Sequence, residues 1–258
     1  MHNIASMNRR MAGSFATLAI TLLALAQPAF AQQLIQNGSF ETNDGPESNV
    51  FANWTVVDQS GSDGSWYVQS SSNSPINGNE VSSPPHLDFA AMTDQGGPGS
   101  HVLYQDFLVP TGVTEATLRF RFLLNNQGGA YFSPDSLDYE TDPNQQFRVD
   151  IITTTADLFS VAPADVLMNA YQTNPGDGLS TGYLSYAGDI TSLLQEWGGQ
   201  TLRLRFSEVD NQDVFNVGVD NVTLNVTAGA AAPEPATCVL ALTALPMAGL
   251  ALRRRRKA

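Results

Sequence analysis

Ala116-Thr117-Leu118-Arg119-Phe120-Arg121-Phe122-Leu123 is the stretch that decides the fold. In an extended chain Leu118, Phe120 and Phe122 fall on one face, with Arg119 and Arg121 on the other. A helix would scatter these residues around its axis; a strand sorts them into a dry face and a wet one. The same sorting recurs in Phe147-Arg148-Val149-Asp150-Ile151 and in Thr201-Leu202-Arg203-Leu204-Arg205-Phe206. It recurs again in Gly218-Val219-Asp220-Asn221-Val222-Thr223-Leu224-Asn225-Val226. Weaker strands are predicted at 54–57, 66–68, 86–89 and 101–107. Clusters of Ser, Asn, Gly, Asp and Pro lie between these runs, as turns require. Strands with one dry face bury it by packing sheet on sheet, so the fold class is all-β, an antiparallel β-sandwich. Two short helices are predicted as insertions, at 163–171 and 189–197. In the second, Asp189 caps, and Ile190, Leu193, Leu194 and Trp197 share a face.

Charge is distributed unevenly along the chain. The 258 residues carry 12 Lys+Arg against 25 Asp+Glu, a formal charge of -13. Arg9, Arg10 and the run Arg253-Arg254-Arg255-Arg256-Lys257 hold most of the basic residues. Between Gln32 and Ala232 only five arginines face 24 acids, which leaves −19. Nucleic acid is thereby excluded as a partner, because phosphate neutralisation needs a broad basic footprint. An anionic membrane surface is disfavoured for the same reason. A hydrophobic content of 42% excludes a disordered chain. No repeat of 20–50 residues is present.

The two ends are addresses. Arg9-Arg10 precedes an apolar run that closes in Pro28-Ala29-Phe30-Ala31. A basic start, an apolar middle and a small-x-small end make a signal peptide over 1–31, with Ala29 and Ala31 flanking the signal-peptidase site. The sandwich domain is expected over 32–227. A linker over 228–235 ends in Pro233-Glu234-Pro235, and 236–258 is an apolar segment closed by the basic cluster. The apolar run of 17 residues barely spans a bilayer core, and the arginines would hold the tail on the cytoplasmic side. Cys238, the only cysteine, lies in that tail, so the body has no disulfide.

Pro233-Glu234-Pro235, a short apolar helix and a terminal arginine cluster, in that order, resemble the PEP-CTERM sorting signal. The resemblance covers about the last 26 residues. It implies a bacterial protein exported to the cell envelope, cell surface or extracellular polysaccharide matrix. It also implies processing near Pro-Glu-Pro by the membrane protease-transpeptidase exosortase, after transient anchoring by the tail. Pro246 departs from a regular helix but is tolerated in membrane segments.

A second resemblance lies in the body. Leu34-Ile35-Gln36-Asn37-Gly38-Ser39-Phe40-Glu41, followed by Asn53-Trp54, is similar to the opening of galactose-binding-like jelly rolls, which include carbohydrate-binding modules. Gly218-Val219-Asp220-Asn221-Val222 is similar to their closing strand. This implies a jelly-roll sandwich and, in some members, a structural Ca²⁺ between the first and last strands. Glu41 and Asp220 stand at the matching places. A hard cation of six to eight oxygen ligands suits such carboxylates; the alternative is that both are ordinary strand-end acids. Asp135, Asp138, Asp142 and Asn144 form another acidic loop, without EF-hand spacing.

Arg119, Arg121, Arg148, Arg203 and Arg205 all alternate with apolar residues. They could line one sheet face and grip an acidic or hydroxylated glycan, as guanidinium forks do. The competing expectation is cross-strand pairing with Asp150, Glu208 and Glu115. Trp66, Tyr67, Tyr131 and Tyr139 sit in polar context and are candidate sugar platforms. Trp54 and Trp197 are expected in the core. The body histidines are His86 and His101, and no nucleophile elbow, HExxH helix, P-loop or dinucleotide fingerprint occurs. A non-enzymatic, glycan-associated surface protein is therefore expected. Its alternatives are a carboxylate-dependent glycan-active enzyme and a structural surface protein without a small ligand.

Overall fold

The computed structural model describes residues 29–229. In chain order the elements are β1 (Ala29–Gln33), β2 (Thr55–Asp58), β3 (Ser65–Gln69), β4 (Ala90–Asp94), β5 (Gly99–Leu108) and β6 (Val113–Asn126). Then come β7 (Gln145–Thr153), β8 (Val166–Gln172), β9 (Leu184–Asp189), α1 (Thr191–Glu196), β10 (Thr201–Asp210) and β11 (Phe215–Gly229). The first sheet runs β3-β4-β11-β6-β9, with β1 added along β11. The second runs β2-β5-β10-β7-β8. Every pairing is antiparallel. The result is a β-sandwich.

The dry faces meet as the alternation requires. Leu118, Phe120 and Phe122 of β6 and Val217, Val219 and Leu224 of β11 face Leu202, Leu204 and Phe206 of β10. Phe120 meets Phe206 edge-on, with ring centroids 5.4 Å apart. Such contacts add to the area term of about 25 cal/mol per Å² of apolar surface buried. Trp54 packs between Phe40 and Phe206, and Trp197 lies against the same core. Trp54 is therefore a core residue, as expected, while Trp197 is partly buried at the edge of the core.

Four expectations change. Residues 163–171 form no helix; β8 occupies most of that segment and pairs with β7. Its ladder with β7 is irregular at two places, so apolar residues 166, 167, 168, 170 and 171 lose strict alternation and mimic a helical period. Residues 86–89 are irregular chain, and the strand beside them is β4. Strands β1 and β9 carry little alternation and were not anticipated. Helix α1 does form over 191–196, but the N-cap position is Ile190. Asp189 Oδ1 still accepts from the Thr191 N–H at 2.8 Å.

Ala29 pairs with Gly229 and Ala31 with Thr227, so β1 crosses the expected cleavage point. Cleavage after Ala31 would leave Gln32 and Gln33 in the ladder, opposite Val226 and Asn225. The rest of the expected signal peptide lies outside the described residues. So do Pro233, Glu234, Pro235 and the tail. Among the described residues no helix is long and apolar enough to cross a membrane.

Candidate functional site

The five arginines do not share a face. Arg119 and Arg121 lie on β6 of the first sheet, whereas Arg148, Arg203 and Arg205 lie on β7 and β10 of the second. Alternation sends all of them outward, but outward from opposite sheets. Composition gives each strand's polar face without saying which sheet the strand joins.

On the second sheet the arginines are tied to acids. Register places Arg205 beside Asp150. The Asp150 carboxylate accepts from Arg148 Nε and Nη2 at 2.9 and 3.0 Å, from Arg205 Nη2 at 2.5 Å and from Asn169 Nδ2 at 2.8 Å. Arg205 Nη1 donates to the carbonyls of Leu158 and Ser160, so the loop before β8 covers this part of the face. Arg205 and Asp150 are fully buried. Burial pulls the Arg205 guanidinium below its ordinary value, and Asp150 opposes that. Arg148 and Arg205 are therefore structural and do not line an open ligand face.

Arg203 differs. Its guanidinium stacks 3.9 Å above the Tyr104 ring and forks onto Asp106 at 2.6 and 2.9 Å. That hydrogen-bonded pairing raises its already high pKa. Arg203 and Asp106 are cross-strand partners on β10 and β5. Beside them opens a depression of about 300 Å³ lined by Gln36, Asn53, Thr55, Tyr104, Gln105 and Asp106. Amide, hydroxyl, carboxylate and phenol groups converge there, in a volume at the lower end for a small ligand. Tyr104 and Asp106 escaped sequence reasoning, although both alternate with buried Leu103 and Phe107 in the predicted 101–107 strand.

The aromatic platforms fare worse. Trp66 and Tyr131 are buried, Trp66 completely. Trp66 follows the inward phase of β3 with Val68, so neither tryptophan nor Tyr131 offers a face to a sugar. Tyr67 takes the opposite phase and is half-buried on the outer side of the first sheet. Burial, and then Asp58, raise its phenol pKa. Tyr139 is half-buried, its hydroxyl donating to the Ser60 carbonyl. In the acidic loop, Asp138 and Asp142 accept from Gln59 and Gln212 at 2.7 Å each.

Glu41 and Asp220 do come together. Glu41 Oε1 accepts from the N–H groups of Asp88 and Phe89, and Asp220 Oδ2 accepts from that of His86. The segment predicted as a strand at 86–89 thus wraps two carboxylates. Burial pushes the Asp220 carboxyl up to about 7, against backbone hydrogen bonds, and the Glu41 charge adds to the rise. Arg121, the cross-strand partner of Asp220, acts in the other sense. Carboxylate oxygens brought together in this way are the ligand type a hard divalent cation takes.

One acid was misplaced by sequence reasoning. Glu208 is not an arginine partner, because it follows Leu202, Leu204 and Phe206 on the inward phase of β10. Burial, with Asp210 and Asp58 adding, drives its carboxyl well above the ordinary range.

No family model matches the chain, and no curated protein matches it. Solved structures do match. The Stig cyclase Fisc of Fischerella sp. TAU is 15% identical with a TM-score of 0.43, over 78% of this chain and 100% of that one. TmCBM61, solved with β-1,4-galactotriose, is 13% identical with a TM-score of 0.39, over 75% and 97%. The K1 cleaved adhesin domain of Lys-gingipain from Porphyromonas gingivalis W83 is 10% identical with a TM-score of 0.40, over 79% and 99%. Values this low leave the chemistry of this chain to its own residues.

Proposed function

We propose that the protein is an exported, non-enzymatic jelly-roll protein of the bacterial surface or polysaccharide matrix that holds glycan at the Tyr104–Arg203–Asp106 depression. The observation that carries the glycan reading is the depression itself: it is lined by sugar-binding residue types, and the Arg203 guanidinium, its side chain 11% exposed, stacks on Tyr104 of its wall. Hydroxyl pairs on a pyranose ring match the guanidinium donors of Arg203 that Asp106 leaves unused and the remaining lone pairs of the Asp106 oxygens. Asn53, Thr55 and Gln36 supply further hydrogen bonds at the rim. Export rests on the two ends of the sequence. Signal peptidase would act after Ala31 and exosortase near Pro233-Glu234-Pro235, releasing the body from its transient membrane anchor.

Retention on the host's own polysaccharide tests this. Arg203→Gln and Tyr104→Ala are each expected to weaken binding about tenfold or more, the equivalent of one good hydrogen bond or stacking contact. The Arg203–Asp106 pair is exposed on the acid's side, and such pairs add at most about 1 kcal/mol to stability. Both variants should therefore fold. Unchanged retention in both would remove the depression as the ligand site. Turnover of the polysaccharide by the wild type would favour the enzyme alternative.

Calcium belongs to the same proposal, held by Glu41 and Asp220, where it would clamp the start of the chain to β11. It would supply charge neutralisation and no chemistry. At a hundredfold excess over Kd a bound ion adds about 2.7 kcal/mol, or roughly 5–11 °C in Tm for a domain of this size. A chelator is expected to lower the Tm of the wild type by that order and to leave Glu41→Gln unmoved. An unchanged wild-type Tm would dismiss the ion.

A further inference from the structure

The inward phase of β10 continues past its apolar part: Leu202, Leu204, Phe206, then Glu208 and Asp210. Register sets Glu208 opposite His101 and Asp210 opposite Gly99 on β5. His101 and Glu208 are fully buried and Asp210 is 2% exposed. One ligand atom from each lies within 4.8 Å of the other two.

This cluster has unmet demands. Neither carboxylate oxygen of Glu208 has a hydrogen-bond partner, and neither does His101 Nε2. Leaving buried polar atoms unpaired costs about 1–3 kcal/mol each, and more for a charge. The tautomer of His101 follows from its other nitrogen. Nδ1 lies 2.7 Å from Asp58 Oδ1, and the other oxygen of Asp58 accepts from Ser65 Oγ at 2.9 Å. A carboxylate can only accept, so Nδ1 carries a proton, and the neutral imidazole that binds metal presents its Nε2 lone pair inward. Asp210 is aimed by the Gly99 N–H and by Gln95 Nε2, both at 3.0 Å. Three acceptors converge, His101 and Asp210 oriented by outer partners and Glu208 with both oxygens unpaired. The Asp58–His101 arrangement is that of a carboxylate which orients a metal-binding imidazole from behind.

Two further features keep the space usable. A Cβ at Gly99 would stand 2.5 Å from His101 Nε2 and 2.9 Å from the Asp63 carbonyl oxygen, so glycine leaves that side of the imidazole free. A pocket of about 170 Å³ opens beside Asp210, bordered by Gly96, Gly97 and Pro98.

We propose that His101 Nε2, Glu208 and Asp210 bind a divalent transition metal of the zinc class at this end of the sandwich interior. An imidazole with two carboxylates suits zinc and its first-row neighbours, whereas calcium and magnesium prefer an all-oxygen set. The site is independent of Glu41 and Asp220, which lie on the outer side of the other sheet and offer no nitrogen.

The test is metal uptake by the full chain, purified without a polyhistidine tag in detergent and stripped with a chelating resin. Titration with Zn²⁺ is expected to give one equivalent bound, and Co²⁺ is expected to give a visible absorption band. Glu208→Gln and His101→Gln should each lose the band and at least tenfold in affinity, while Glu41→Gln keeps both. Should a variant fail to fold, X-ray absorption of the zinc-loaded wild type still decides. One imidazole with carboxylate oxygens supports the site; an oxygen-only shell overturns it. Absence of uptake, or uptake unchanged in folded Glu208→Gln and His101→Gln, also overturns it.

Discussion

Asp150→Ala is expected to destabilise the sandwich by about 3–5 kcal/mol, the range for breaking a buried ion pair by removing one partner. Asp150 is the only acid hydrogen-bonded to Arg148 and Arg205 among the described residues, and it receives four donated hydrogen bonds. Its loss leaves two buried guanidinium groups side by side with no counter-charge. Water cannot easily reach them, because the loop carrying Leu158 and Ser160 seals Arg205 from outside. For a domain of this size the loss corresponds to a drop of roughly 6–20 °C in Tm. Replacing Arg148, Asp150 and Arg205 together by Met, Leu and Met should recover most of it, since well-packed apolar groups often equal a buried ion cluster. Thermal and urea unfolding measure both. A loss below about 1 kcal/mol for the single variant would show that the cluster is solvated.

That cluster also shows where the sequence stops being informative. Alternation in 116–123, 147–151 and 201–206 placed every arginine on an outward face, and all five do point outward. It could not show that β6 and β10 belong to opposite sheets, because sheet membership is a matter of long-range register. The same rule, carried two steps further along β10, would have put Glu208 and Asp210 inward. Reading charged residues as outward by type hid this, although period two has no exception for acids. The 163–171 segment failed for another reason: the bulges in β8 break the period that separates strand from helix. Trp66 was placed outside by its polar neighbours, but Ser65 and Gln69 are themselves buried.

The acidity of the body acquires a local meaning. A surplus of carboxylates would be expected to lie in water, screened and weakly interacting. Instead Asp94, Asp150, Glu208, Asp210 and Asp220 are buried, in four different settings. Asp94 accepts from Ile76, Asn77 and Asn216, Asp150 is matched by arginines, Asp220 sits with Glu41 near Arg121, and Glu208 and Asp210 face the imidazole of His101. Asp94 and Asp150 are each answered by four donated hydrogen bonds. The two proposed cations would complement the other two places, a hard one at Glu41 and Asp220 and a softer one within the sandwich.

Gly38→Ala is expected to cost about 3–5 kcal/mol, at or beyond the upper end for overpacking because the clash is with backbone. The opening motif Asn37-Gly38-Ser39-Phe40-Glu41 and the closing motif Asp220-Asn221-Val222 touch at this glycine. The Val222 N–H donates to the Gly38 carbonyl at 2.8 Å, and an added Cβ would overlap the Val222 carbonyl oxygen. Val222 sits at the register shift of β11 between Asp220 and Thr223, and it cannot retreat without disturbing the paired residues on either side. The neighbours of Gly38 hold it equally firmly. Asn37 Nδ2 donates to the carbonyls of Thr42 and Ala52, Trp54 Nε1 donates to the Asn37 carbonyl, and Phe40 is fully buried. Here glycine is required by close approach and not by φ, since Asn37 and Phe40 take positive φ but Gly38 does not. Gly78 makes the control: its φ is +71° and nothing lies within 4 Å of an added Cβ. Gly78→Ala meets conformational strain alone and should cost about 1 kcal/mol. Equilibrium unfolding of both variants separates the causes. Equal, small losses would show that the two motifs do not clamp the ends of the sandwich together. A large loss at Gly38, accompanied by a weaker calcium response, would tie the packing of this glycine to the placement of Glu41 against Asp220.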